Sequence, residues 1–125
     1  MQSGQLNVFS FRNQNTSDIQ QVRLFECDEL RACLVVMPPG AVIETHAHTD
    51  CNELFDVVEG EGQFTVDGRT FRGDCGKCVF VPAGTPHSIR NDSAALWTLR
   101  VTYQECVSPR HIGKIVKRTI RKKIV

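Results

Sequence analysis

The sequence predicts an all-β sandwich or barrel, on three observations. Turn signals recur at a spacing of roughly 8 to 12 residues through the middle of the chain, with no helix-periodic stretch between them. The residues between turns either alternate apolar with polar or run apolar for a few positions, which are the patterns of half-buried and fully buried strands. Within that region proline falls only at the ends of the runs, at Pro38, Pro39, Pro82 and Pro86, where it withholds no donor from a sheet ladder.

Taken in order, residues 1–15 are polar with Phe9 and Phe11 scattered among them, and they are expected to give an edge strand or an exchanged strand. Ile19 to Phe25 reads as a strand after the polar Asn15-Thr16-Ser17-Asp18 turn. Residues 30–37, LRACLVVM, form a nearly continuous apolar run that suits a strand buried on both faces. The two prolines that close this run rule out a helix just beyond it. Gly60-Glu61-Gly62 then turns the chain into Gln63 to Val66, and Asp67-Gly68 is the strongest short hairpin signal present. Arg69 to Arg72 is expected to pair back, Gly73-Asp74 to turn again into Val79 to Val81, and Asn91-Asp92-Ser93 to lead into Leu96 to Tyr103.

Two segments carry the chemistry. The first, Gly40 to Gly60, reads GAVIETHAHTDCNELFDVVEG, and the second, Gly76 to Asn91, reads GKCVFVPAGTPHSIRN. Between them they hold three of the four histidines. His46 and His48 are two apart, which puts both imidazoles on one face if the segment is a strand. Glu53 follows beyond a polar turn of Thr49, Asp50 and Asn52, and His87 follows the Pro-Ala-Gly-Thr-Pro turn where a strand begins or ends. Three imidazoles and one carboxylate are a donor set for first-row transition metals.

The spacing of these segments resembles the two-part motif of the cupin superfamily. Gly40, His46, His48, Glu53 and Gly60 match the first part, and Gly76, Pro82, Gly84, His87 and Asn91 match the second. The resemblance implies a double-stranded β-helix, or jelly-roll, cupin barrel occupying residues 1–125 as a single domain, with the barrel core at about 19–105 and a basic tail at 110–125. It implies that His46, His48, Glu53 and His87 are metal ligands, that the glycines and Pro82 turn the hairpins, and that Asn91 is a structural residue at a strand end. One divalent transition metal ion per chain is expected, Fe, Mn, Ni or Zn. On an octahedral ion four such ligands leave two adjacent positions open, whereas on zinc they can close a tetrahedron. The resemblance also favours a homodimer.

Around this set the wall reads as apolar, because Phe55 and Val57 share the strand parity of Glu53 and Ile89 shares that of His87. Trp97, Leu99, Val101 and Tyr103 share one parity against polar Thr98, Arg100 and Thr102. With the Trp97 face inward, Tyr103 stands near a barrel mouth as a candidate acid or hydrogen-bond donor, although such a tyrosine more often anchors a strand end. Arg31 and Gln63 are the other polar residues with a path to a pocket, depending on register. Cys51 shares parity with Glu53 and is read either as a small buried apolar side chain or as a thiol facing the metal. The six cysteines read as reduced thiols rather than three disulfides, and the closely spaced Cys75 and Cys78 read as structural.

Charge divides the chain. Residues 1–109 carry 8 Lys or Arg against all 14 Asp and Glu, a net −6, while 110–125 carry 7 basic residues and no acid. The tail places Ile112, Ile115, Val116, Ile120 and Ile124 on helix-like spacing, so it is expected as a short amphipathic basic helix or a final strand. Docking on the acidic barrel of this or a second subunit is favoured over contact with nucleic acid or membrane, and His111 beside it reads as a surface residue. No apolar run approaches the ~20 residues of a membrane span, and the start MQSGQLNVFSFRNQN has neither a basic region nor a hydrophobic one, so the expected compartment is the cytoplasm.

Function then narrows to classes. The leading expectation is a mononuclear metalloenzyme acting on a small oxygen-rich metabolite by dioxygenase, isomerase or lyase chemistry. The alternatives are a non-catalytic, metal-dependent module that binds or senses a small ligand, and a structural zinc barrel. With no second barrel in the chain, double-cupin decarboxylases and seed-storage proteins fit poorly, and with no DNA-binding segment a one-chain transcriptional sensor does too.

Overall fold

The computed structural model describes residues 3–106, in which one 3₁₀ turn, Val8–Phe11, precedes nine strands. These are β1 (Gln20–Glu26), β2 (Leu30–Met37), β3 (Val42–His46), β4 (Cys51–Glu59), β5 (Glu61–Val66), β6 (Arg69–Asp74), β7 (Cys78–Val81), β8 (His87–Arg90) and β9 (Trp97–Glu105). All pairings are antiparallel, in a five-stranded sheet ordered β1-β2-β9-β4-β7 and a four-stranded sheet ordered β3-β8-β5-β6. The inward faces of both sheets share one core, with Val35, Phe55, Leu99 and Val101 from the first and Phe64, Val66 and Ile89 from the second. This is the jelly-roll barrel that the turn spacing and motifs predict. Among the described residues no helix is long and apolar enough to cross a membrane.

Trp97 closes one part of the core with no exposed surface, edge-on to Phe64 at 5.1 Å between ring centroids. Gly62 and Gly73 face each other across β5 and β6, and a Cβ on Gly62 would run into the Trp97 ring, one on Gly73 into the Phe64 ring. Glycine here makes room for aromatic packing within a strand. At Asp67-Gly68 both residues have positive φ, 51° and 79°, which is the twist-matched two-residue turn that the Asp-Gly pair signals.

Strand β2 fills its predicted span, and every residue from Ala32 to Met37 is buried. Cys33, Val35 and Met37 face the core, while Leu34 and Val36 take the opposite parity and are also covered. On that outer side Arg12 pairs with the Glu59 carboxylate, which also accepts from the Thr98 hydroxyl at 3.0 Å.

Elsewhere the structure corrects the expectation. Residues 3–15 give no strand: Asn7 accepts from the Phe9 amide through its side chain (3.1 Å) and from the Ser10 amide through its carbonyl (3.1 Å), so local bonds replace a ladder. Gly73 and Asp74 remain paired with Gly62 and Glu61 in β6, and the turn falls later, where Gly76 takes a φ of 93° and the Lys77 amide donates to the Asp74 carbonyl. The tail at 110–125, with His111, lies outside the described residues.

Candidate metal centre

Three strands deliver the candidate ligands. His46 ends β3 and His87 begins β8, and the two are cross-strand partners in the four-stranded sheet. Glu53 lies in β4 of the facing sheet, directly between Val81 and Tyr103 on the neighbouring strands. His48 is not on a strand; the ladder slips between Ile43 and His46, and the chain leaves β3 before residue 48. It still converges, because the Gly84 amide donates to the His48 carbonyl at 2.7 Å and the Ala83 amide donates to the Asn52 side-chain oxygen at 2.9 Å. The turn ahead of His87 is thereby fastened to the loop that carries His48. Asn52, read from sequence as part of the polar turn, is a buried strand residue whose amide nitrogen also donates to Gln104 at 3.1 Å.

Side-chain nitrogens of His46, His48 and His87 lie within 4.8 Å of one another. A Glu53 carboxylate oxygen is 3.3 Å from His48 Nε2 and 3.2 Å from His87 Nε2. The Nδ1 of His46 is 2.8 Å from the Glu44 carbonyl and that of His87 is 2.9 Å from the Thr85 carbonyl. A carbonyl only accepts, so both Nδ1 atoms carry a proton, and in the neutral form of each ring Nε2 keeps the lone pair. His87 Nε2 is buried with no hydrogen-bond partner in good geometry. A buried nitrogen left open, a second-atom tether to a carbonyl and a carboxylate alongside are what a metal-ligating histidine requires, so these residues fit a transition metal ion.

Burial by itself would pull His87 below the usual imidazole range, but the Glu53 carboxylate and the Thr85 carbonyl outweigh it and the net shift is upward. Tyr103 is pushed the same way, first by burial and then by Glu53, so its hydroxyl keeps its proton. The Tyr103 ring lies 6.3 Å from that of His48.

A cavity of about 190 Å³ opens beside the histidines. Its apolar wall is made by Val35, Ile43, Phe55, Ile89 and Val101, with Ile19 at 38% exposure toward the rim. Tyr103 and Gln21 are its polar members apart from the candidate ligands. Gln21, on a strand predicted as such, carries no sequence signal that its side chain reaches the cavity. Val57 lies in the core without lining the cavity. Neither Arg31 nor Gln63 lines it: Arg31 lies over the Tyr103 ring at 4.6 Å and faces a separate recess with Glu26, Asp28, Glu29 and Glu105, and Gln63 pairs with Arg72 and Arg90 at the other end of β5.

Cys51 is buried in the core, its thiol pushed up to about 11 by burial, then Glu53 and Asp50, so it packs as a small apolar side chain. Its sulfur also lies within 4.8 Å of ligand atoms of His48 and Asp50. Cys75 and Cys78 are exposed and unbridged on either side of the Gly76 turn. Asn91 has no exposed surface and donates to the carbonyls of Met37 and Ala95, both at 2.8 Å, which joins the end of β2 to the entry of β9.

A family model described as a cupin domain matches residues 33–101. The dimethylsulfoniopropionate lyase DddQ of Ruegeria pomeroyi is 36% identical over 67 residues, 53% of this chain and 33% of that protein. The quercetin 2,3-dioxygenase of Bacillus subtilis is 37% identical over 54 residues, 43% of this chain and 16% of that protein. The chain spans less than half the length of the curated relatives it matches. Among solved structures, a protein of Thermus thermophilus superposes with a TM-score of 0.75 at 24% identity, over 80% of this chain and 95% of that one.

Proposed function

This chain belongs to the cupin family, and from that premise we propose that it is a mononuclear metalloenzyme acting on a small oxygen-bearing metabolite by dioxygenase, isomerase or lyase chemistry. The observation that carries the reading is the pair of tethered histidines, each giving Nδ1–H to a carbonyl two residues back, with Glu53 beside His87 Nε2. His46, His48, Glu53 and His87 would hold one divalent ion, Fe, Mn, Ni or Zn, and such an ion supplies Lewis-acid polarisation of a bound oxygen or access to dioxygen. The chain's own contribution is positional. Facing sheets fix the donors, the apolar wall keeps water from the reacting atoms, and the Tyr103 hydroxyl, which keeps its proton, offers a hydrogen bond to a ligand in the cavity. The relatives named a lyase and a dioxygenase lend support for the reaction classes, each over part of its length.

The same reading includes a cytoplasmic homodimer with no nucleic-acid or membrane partner. Metal analysis of protein purified without chelators, followed by an activity screen with that metal restored, tests the function. His48→Ala should lose most of the metal while remaining a folded β-protein, and unchanged metal content would defeat the ligand assignment. Ligand binding without turnover across the screen would move the reading to a binding or sensing module.

A further inference from the structure

We infer that the cavity takes a monoanion, with one pair of chelating oxygens at the histidine cluster and an uncharged apolar tail against the wall. This rests on the metal reading above and narrows its substrate class.

Size sets the first limit. At about 190 Å³ the cavity is smaller than the ~300–1,000 Å³ of pockets for drug-sized ligands.

Charge sets the second. Among the described residues no Lys or Arg lines the cavity, and Arg31 lies over the Tyr103 ring facing the acidic recess. Glu53 is the one carboxylate among the described residues that line the cavity. A divalent ion against a single carboxylate leaves one positive charge, which one anionic head neutralises and a second would exceed. Among the described residues a second anionic group on the ligand would meet, beyond the cluster, only the uncharged Gln21 amide and Tyr103 hydroxyl or the apolar side chains of Ile43, Ile89, Phe55 and Val101, and none of these supplies a counter-charge. The polar groups available to the ligand beyond the cluster, the Gln21 amide and the Tyr103 hydroxyl, come from strands of one sheet, so the opposite wall is left to apolar contact.

A pair of probes matched in size tests this. 2-Oxoglutarate and 5-methyl-2-oxohexanoate have the same number of non-hydrogen atoms and the same 2-oxo acid head, and they differ in ending on a carboxylate or an isopropyl group. Each is titrated into the full chain loaded with Co²⁺, and the visible absorbance of the ion reports both metal occupancy and ligand entry. The apolar probe should bind about tenfold or more tighter, because the distal carboxylate of its partner finds no counter-ion among the described residues of the cavity. Equal or reversed affinities on cobalt-loaded protein would overturn the inference and leave the metal reading standing. Failure to take up Co²⁺ would overturn both.

Two variants carry the charge argument further. Ile43→Lys and Ile19→Lys each add a cation to the wall or rim without touching a candidate ligand, and either should reduce the preference to about threefold or less. Ile19 is exposed enough for its variant to fold if the half-buried Ile43 variant does not. Full retention of the preference in a folded, cobalt-loaded variant would count against the apolar wall as its cause.

Discussion

The proton on Nδ1 decides what His46 and His87 can do, because tying it to a carbonyl leaves Nε2 as the donor to an ion and fixes the ring plane. Two pH dependences follow for His87, and they have opposite signs. In metal-free protein its affinity for a proton is raised above the usual ~6.5, so protonation favours the fold. That contribution is complete below ~6.5 and is lost as pH rises through the raised value. An ion requires the deprotonated ring, so occupancy falls as pH falls through the same value. Metal-free protein should therefore melt lower across this window as pH rises, while Co²⁺ absorbance climbs. Melting scans and cobalt titrations at matched pH check the pair, and parallel slopes would show that His87 is not shared between proton and metal. Spacing in the sequence names the histidines that the fold brings together. What spacing does not supply is the open Nε2, which depends on where Thr85 points its carbonyl.

At the scale of elements, the centre is held by turns latched to one another more than by strand alternation. His48 lies off β3, yet it reaches its neighbours because Gly84 and Ala83 tie the second turn to the loop through the His48 carbonyl and Asn52. Asn52→Ala removes an acceptor from a backbone amide and a donor to Gln104. It should cost about 1–3 kcal/mol in urea denaturation. Cobalt affinity should fall about 10–100-fold, as for the loss of a group that orients metal ligands. Gln104→Ala keeps the Ala83 bond and should cost far less affinity; equal losses would mean that the latch does not position the centre. Asn52 reads wrongly from sequence because Thr-Asp-Cys-Asn has turn composition, and its place in β4 depends on backbone pairing with the distant Gln104 of β9. The converse holds for β2, whose burial on both faces is legible because a continuous apolar run has few other uses. Gly62 carries the composition of a turn residue, whereas its place in β5 depends on the distant Trp97. Gly62→Ala should destabilise by about 1–3 kcal/mol through overpacking, measured in the same denaturation.

For the whole molecule the open question is what the basic tail adds to an acidic body. Seven basic residues on 110–125 face a net −6 on residues 1–109, and the isoleucines on helix-like spacing give the segment a side to bury. The body ends beside acidic surface: the Cys106 amide donates to the Asp50 carbonyl at 2.8 Å, and Glu105 shares the recess of Glu26, Asp28 and Glu29. Exposed ion pairs contribute about 0–1 kcal/mol each and weaken with salt, whereas burying an isoleucine contributes about 1.5–3 kcal/mol. Attachment should therefore depend on the isoleucines, and the charges should mainly orient the segment. Ile115→Asp with Ile120→Asp is expected to lower the melting temperature or dissociate a dimer in sedimentation, and Lys122→Ala with Lys123→Ala to change little. A role on nucleic acid or an anionic membrane reverses this order, because the lysine changes would then abolish binding with a steep salt dependence. Limited trypsin digestion of the native protein distinguishes them, since a docked tail protects its lysines. Rapid removal of everything after Arg110 would show that the body does not hold it.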